Sequence, residues 1–323
     1  MAEGMSRDQL EVYRGSWAKP SDFDVFWDQQ VALVPEETRY QLVEKDFSLD
    51  GVRCYDLRFQ AVDGSEIYAK AVFPKKLENV PVVFMFHGYH GRSKDWTDLF
   101  PYAATGHGVV ALDVRGQAGK SEDLGVYKGS TVKGHIVRGL DEGRDHLYFR
   151  KAFLDVYQLV EVVASMDFVD ASRLSSYGDS QGGALALVAA ALNPKINLTV
   201  AIYPFLSDFK RVIETVNNTE AYNELFRYFF LRDPLHLTEE KVLDTLAYID
   251  VKNFASRIKG QVKMITGLLD DVCLPSTQYA IYNNLGTDNK EHYLMPEYGH
   301  EPMHYEIKDY VFNWITGATI VPK

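Results

Sequence analysis

The spacing of apolar and polar positions changes several times along the chain, and each change marks an element. Over residues 10–34 the pattern is helical and rich in aromatics, with Trp17, Phe23, Phe26 and Trp27 placed to pack this arm on the body or on a neighbouring subunit; Pro35 ends the segment. Residues 41–73 alternate with the period of two expected of strands, and Asp63-Gly64 reads as a hairpin turn between the last two of them. The pattern then becomes continuous: Val80–Phe86 is an unbroken apolar run bounded by turn residues, the signature of a central strand buried on both faces.

From there strands and helices alternate. The pattern predicts a helix over Trp96–Ala104, a strand over Val109–Val114, a long glycine-containing loop over 117–144 and an amphipathic helix over Asp145–Met166. A strand over Arg173–Tyr177, a helix over Gln181–Leu192 and a strand over Leu198–Tyr203 follow. Residues 205–258 interrupt this rhythm with several short aromatic-rich helices, placed as a cap would be. The rhythm resumes with a strand over Val262–Thr266, a helix over Pro275–Leu285, a strand over His292–Met295 and a last helix over Met303–Ile315. Repeated strand–helix units after an antiparallel opening predict a doubly wound, mostly parallel α/β sheet with a helical insertion, in one domain of residues 1–323.

The chemistry concentrates at one turn. Gly178-Asp179-Ser180-Gln181-Gly182 fits G-x-S-x-G and lies where a strand ends and a helix begins, which is the nucleophile elbow of an α/β-hydrolase. The spacing has a physical cause. A serine on so sharp a turn has a strained backbone and close neighbours, and glycines at 178 and 182 remove the Cβ atoms that would collide. The helix N-terminus behind Ser180 brings free N–H groups to the place where an oxyanion would form.

Two partners complete a charge-relay order. Ser180, Asp270 and His300 all fall at predicted strand ends in the sequence Ser…Asp…His, and the carboxyl ends of parallel strands share one edge of the sheet. Ser180 needs a base to take its proton, an imidazole suits that task near neutral pH, and a carboxylate on the other ring nitrogen stabilises the imidazolium. Among nine histidines, His300 follows a short strand and precedes the last helix within Tyr298-Gly299-His300-Glu301; His304 is the alternative. Asp271 is the fallback for Asp270, or else an N-cap ahead of Pro275. The oxyanion requires two donors: the N–H of Gln181, and the N–H of Tyr89 in the His87-Gly88-Tyr89-His90-Gly91 loop after Val80–Phe86. His87 itself reads as structural.

Composition narrows the class. At 323 residues, 46% hydrophobic and 13% aromatic, the chain can bury a large core. A net charge of −11 argues against nucleic acid or an anionic membrane surface as partner. Cys54 and Cys273 have no metal-type spacing and read as reduced, buried thiols of a cytoplasmic protein. Neither a signal-peptide core nor a transmembrane run is visible.

With His87-Gly88-Tyr89-His90-Gly91, Arg115-Gly116-Gln117, Gly178-Asp179-Ser180-Gln181-Gly182-Gly183, Gly267-Leu268-Leu269-Asp270 and His300-Glu301 in this order, the sequence resembles the cephalosporin C deacetylase / acetyl xylan esterase family (carbohydrate esterase family 7) over essentially its whole length. The resemblance implies hydrolysis of acetyl esters of small carbohydrates and of cephalosporin C, with no metal or organic cofactor. It implies Ser180 as nucleophile, His300 as base, Asp270 as orienting acid, and Tyr89 and Gln181 as oxyanion donors. It also implies a hexamer built as a trimer of dimers around an internal cavity, and a structural brace at Arg115, Gly116 and Gln117. Asp179, where the family usually has a small residue, Asp271 and Cys273 depart from its pattern.

Rival readings fare worse. A prolyl-oligopeptidase-like peptidase needs a propeller for which the residues ahead of Ser180 leave no room, and the elbow lacks the cysteine of a dienelactone-type hydrolase. A catalytically silent scaffold on this fold tends to have lost a triad member, whereas all three are present.

Overall fold

The structure, a computed structural model, describes residues 4–128, 133–302 and 306–317. The N-terminal arm forms two short helices, α1 (Arg7–Val12) and α2 (Phe23–Val31), rather than one helical segment over 10–34. The break has a local cause: Gly15 adopts φ +107° and Pro20 follows, so the chain turns between them. The arm lies on its own body. Phe23, Phe26 and Trp27 are buried, Phe23 meets Phe254 edge-on at 4.9 Å, and Trp27 Nε1 donates to the Tyr248 carbonyl at 3.0 Å. Burial of each such ring contributes about 2 kcal/mol.

Strands β1 (Tyr40–Lys45), β2 (Val52–Gln60) and β3 (Glu66–Pro74) form the expected antiparallel opening. The Asp63-Gly64 turn joins the last two, with Gly64 at φ +85° and Ala61 N–H donating to Ser65 at 2.9 Å. Then come β4 (Val80–Phe86), α3 (Trp96–Ala104), β5 (Gly108–Leu112), α4 (Tyr148–Ala164), β6 (Val169–Asp179), α5 (Gln181–Leu192) and β7 (Ile196–Ile202). Four short helices occupy the insertion: α6 (Phe209–Glu214), α7 (Asn223–Arg232), α8 (Glu239–Leu246) and α9 (Val251–Phe254). The chain closes with β8 (Gln261–Gly267), α10 (Pro275–Asn283), β9 (Lys290–Met295) and α11 (Ile307–Thr316). The long helix starts at Tyr148, three residues later than its pattern suggests, because Arg144–His146 is a tight 3-10 turn after Gly143 at φ +89°. Of the last predicted helix, residues 303–305 lie outside the described residues, and so does the alternative histidine, His304.

All nine strands join one sheet in the order β1-β2-β3-β5-β4-β6-β7-β8-β9, parallel from β5 through β9. Alternation sends neighbouring strand residues to opposite faces. Val83, Val109, Val200 and Ile265 meet Leu99 and Tyr102 of α3 and Val311 and Ile315 of α11 on one side. Phe84, Val110, Val262 and Met264 meet α4 and α5 on the other. All twelve residues of α5 are buried, which explains why its sequence is apolar all round and not amphipathic. This is the doubly wound α/β-hydrolase architecture. Among the described residues no helix is long and apolar enough to cross a membrane.

Candidate active site

The elbow is built as its glycines require. Ser180 sits between β6 and α5 at φ 53°, ψ −119°, a conformation that costs a non-glycine residue about 1–3 kcal/mol. The surroundings hold it: Ser180 N–H donates to the Ile202 carbonyl at 3.0 Å, and the Ser180 carbonyl accepts from Phe205 N–H at 3.1 Å. A Cβ on Gly178 would lie 2.3 Å from the Gly182 carbonyl carbon, and one on Gly182 would lie 2.1 Å from the Phe86 carbonyl oxygen. Both positions are therefore closed to any larger residue.

Three sequence-predicted side chains meet in one hydrogen-bonded line. His300 Nε2 is 3.0 Å from Ser180 Oγ, and His300 Nδ1 is 2.9 Å from Asp270 Oδ2. The carboxylate fixes the tautomer: Nδ1 carries the proton toward Asp270, leaving the Nε2 lone pair to accept from the serine hydroxyl. Asp270 is fully buried at the end of β8, and its other contacts complete it. Oδ1 accepts from Val272 N–H at 2.9 Å and Cys273 N–H at 2.8 Å, and Oδ2 accepts from Gln278 Nε2 at 3.2 Å. Asp271 is exposed, and His300 pairs with Asp270. The Tyr203 ring packs 4.6 Å from the imidazole and holds its other side. Nothing in the chain's motifs marked Tyr203; it follows β7 by one residue, at the same sheet edge.

The loop after β4 emerges beside the elbow, because Phe86 pairs with Gly178 across the β4–β6 ladder. His87 is buried, and burial pulls its pKa down. Its Nε2 accepts from Val114 N–H at 3.0 Å and its Nδ1 lies 2.8 Å from the Gly88 carbonyl, so it ties the ends of β4 and β5 together. Gln181 opens α5, where first-turn N–H groups have no partner inside the helix. Its side chain is pinned by Gln117 and by the His87 carbonyl. Tyr89 carries its hydroxyl to Glu224 of α7, 2.6 Å away, and its ring stacks on His90 at 3.9 Å and packs 5.2 Å from Phe205. Glu224 escaped the sequence reading: it is one acid in an aromatic helix, with no motif around it.

Arg115 is 1% exposed and binds three carboxylates. Its Nε and Nη2 form a fork on Asp155 at 2.6 and 2.7 Å, and Nη1 reaches Asp63 at 2.7 Å and Asp123 at 3.4 Å. These charges keep the guanidinium protonated, whereas burial pushes the Asp155 carboxyl up to about 6 against the pull of Arg115. The Arg115 carbonyl accepts from the Tyr148 hydroxyl, whose oxygen in turn accepts from Gln117 Nε2 at 3.2 Å. The segment thus braces the loop that reaches Gln181. Cys54 and Cys273 are both buried free thiols, and burial beside Asp270 raises the Cys273 pKa well above the usual range.

Comparison with known proteins places the chain. The crystal structure of an acetyl xylan esterase from Thermoanaerobacterium sp. JW/SL YS485 superimposes with a TM-score of 0.94 at 44% identity, covering 97% of this chain and 98% of that one. An acetyl xylan esterase from Paenibacillus sp. R4 gives 0.92 at 34% identity, covering 98% and 100%. Acetyl esterase Axe7A of Xylanibacter ruminicola is 30% identical over 302 residues, 91% of this chain; the chain spans 65% of that relative's length. The family model described as acetyl xylan esterase (AXE1) matches residues 2–318, and the chain belongs to that family.

Proposed function

We propose that the protein is a serine esterase that removes acetyl groups from O-acetylated xylo-oligosaccharides and other small esters, cephalosporin C among them. The observation that carries this reading is the Asp270–His300–Ser180 line on a nucleophile elbow, within a chain of the acetyl xylan esterase family. Ser180 Oγ attacks the acetyl carbonyl carbon as its proton passes to His300 Nε2. Asp270 stabilises the imidazolium. The developing oxyanion is held by the N–H groups of Gln181 and Tyr89. His300 then protonates the departing sugar oxygen, leaving acetyl-Ser180. Water, deprotonated by the same imidazole, attacks this ester; the bond to Ser180 Oγ breaks, His300 returns the proton to Oγ, and acetate leaves.

The wider reading follows the same lines. Residues 1–323 act as one domain in which the helices of 205–258 cap the site, a view supported by the Glu224–Tyr89 and Phe205–Ser180 contacts. A hexamer agrees with the exposed apolar side chains Phe230, Leu235 and Leu237 on one stretch of the insertion. A cytoplasmic setting agrees with two free cysteines.

The test is kcat/KM for p-nitrophenyl acetate against the butyrate and octanoate esters, together with acetate release from acetylated xylo-oligosaccharides. A steep fall beyond acetate, with activity abolished in Ser180→Ala, is expected. A flat acyl-length profile would make the protein a general carboxylesterase, and an active Ser180→Ala would remove the serine mechanism.

A further inference from the structure

Glu224 is the strongest unassigned feature near the site. It lies in the first turn of α7, is 2% exposed, and gathers its hydrogen bonds from two other segments. Oε1 accepts from the Tyr89 hydroxyl at 2.6 Å and from His135 N–H at 3.0 Å; Oε2 accepts from Val137 N–H at 3.2 Å. The backbone wraps tightly around this carboxylate. Gly134 adopts φ +93°, and a Cβ there would stand 2.1 Å from Glu224 Oε1 and 2.9 Å from the Tyr89 hydroxyl.

We propose that Glu224 is a positioning residue for the oxyanion hole, fixing Tyr89 so that its backbone N–H points at the place where the oxyanion forms. The proposal rests on the reading of Tyr89 as an oxyanion donor. Its physical basis is that an oxyanion donor helps only if it is aligned before the charge develops. Tyr89 sits on a loop, where alignment has to come from outside the sheet. Its ring stacks on His90 and packs against Phe205, and its hydroxyl donates to Glu224 and accepts from His135 N–H. With both ends of the side chain held, the Cα and the attached N–H have little freedom left. Phe205 also donates its N–H to the Ser180 carbonyl, so the nucleophile and the oxyanion loop share one support.

A buried carboxylate is a costly way to glue three segments together, and an apolar side chain would do so without the desolvation penalty. Burial indeed pushes the Glu224 carboxyl up to about 7 despite the donors around it. What only an acceptor-rich group does here is satisfy a tyrosine O–H and two loop N–H groups at once, in one geometry.

The test compares Glu224→Gln, Tyr89→Phe and the double variant on p-nitrophenyl acetate, with Ser180→Ala alongside. Each single variant is expected to lower kcat about ten- to a hundredfold, less than the roughly hundred- to thousandfold cost of removing an oxyanion donor outright, with KM changed less than about twofold. The double variant is expected to be no worse than the more damaged single one, because both break the same link. Unchanged kcat in Glu224→Gln, a loss carried by KM, or additive losses would overturn the proposal. If Glu224→Gln does not fold, Tyr89→Phe alone decides, since it leaves the carboxylate in place. Activity surviving in Ser180→Ala would instead overturn the underlying serine mechanism, a failure distinguishable from that of Glu224.

Discussion

Gln117 and Gln181 hold each other through a reciprocal pair of side-chain amide hydrogen bonds, Gln117 Nε2 to Gln181 Oε1 at 2.7 Å and Gln181 Nε2 to Gln117 Oε1 at 3.2 Å. The pair links the loop after β5 to the residue that follows the nucleophile. Through Arg115, two residues earlier, it connects the elbow to a buried charge cluster more than one element away.

Gln117→Leu is therefore expected to cost activity more than stability. Both amides of the pair have further partners, so loss of one partner leaves Gln181 held only by the His87 carbonyl. Losing about 1–2 kcal/mol of positioning would lower kcat about five- to thirtyfold. Steady-state kinetics paired with a thermal melt would read this; an unchanged kcat with a lowered Tm would make the amide pair purely structural.

Arg115 is expected to behave in the opposite way. Arg115→Met leaves Asp155 buried without its counter-charge, while Asp123 keeps Arg138 at 3.5 Å, and breaking a buried pair from one side costs about 3–5 kcal/mol. Arg115→Lys fares little better, because an ammonium cannot form the two-pronged contact with Asp155 while also reaching Asp63. By contrast, Arg53 pairs with Glu44 on the surface, and Arg53→Met should shift a urea midpoint very little. Equal midpoints for the Arg115 and Arg53 variants would contradict this account of the brace.

Much of this arrangement was visible in the sequence, for definite reasons. The apolar run of β4 and the helix α5 match their observed bounds, because a central strand and a helix buried all round are apolar along their length, with Gln181 at the first position of α5 the exception. Ser180, Asp270 and His300 were legible because strand ends of a parallel sheet converge wherever the strands themselves lie. The arm was misread as continuous, since the aromatic spacing of Trp17 through Trp27 masked the turn at Gly15 and Pro20. Tyr203 and Glu224 were invisible for another reason. Their contacts join loops and insertion helices whose mutual placement no local period encodes.

Two histidines, His135 buried and His292 half-buried, give a pH dependence with a definite sign. His135, stacked 4.2 Å from Tyr148, and His292, stacked 4.3 Å from Tyr282, both have pKa values pulled down to about 3, burial being the main cause and Arg138 or Arg7 and Lys290 adding to it. Each folded pKa lies below the ordinary histidine value of about 6.5, so the unfolded chain binds protons that the folded chain refuses. The two groups therefore favour the fold fully above about pH 6.5 and progressively less down to about pH 3. Glu224 and Asp155 act in the opposite sense, since folded pKa values raised to about 7 and about 6 stabilise the fold at low pH and lose that benefit as pH rises. The histidine contribution is thus read from a difference. His292→Gln keeps an amide near Thr266 and is expected to lose less stability than the parent between pH 7 and pH 5 in urea titrations. Parallel curves for the two proteins would show that His292 does not titrate differently on folding.

Asp179 leads to a prediction about substrate charge. It directly precedes Ser180, is half-buried at the end of β6, and forms no salt bridge among the described residues. Its charge acts on Tyr203, whose ring lies 4.6 Å from that of His300, which sets an acidic group near the side chains proposed to attack the substrate. Such a charge costs an anionic ester more than a neutral one, and at a partly solvated site a separation of several ångströms is worth about 0.5–1 kcal/mol. Asp179→Asn is expected to raise kcat/KM for cephalosporin C, which carries carboxylates, about two- to fivefold relative to p-nitrophenyl acetate. Because the effect is electrostatic, the parent's discrimination should shrink as salt is added, and that of the variant should not. A ratio that stays the same in Asp179→Asn at low salt would mean that the carboxylate is screened from the substrate, and the departure at 179 would then have no bearing on which esters the enzyme accepts.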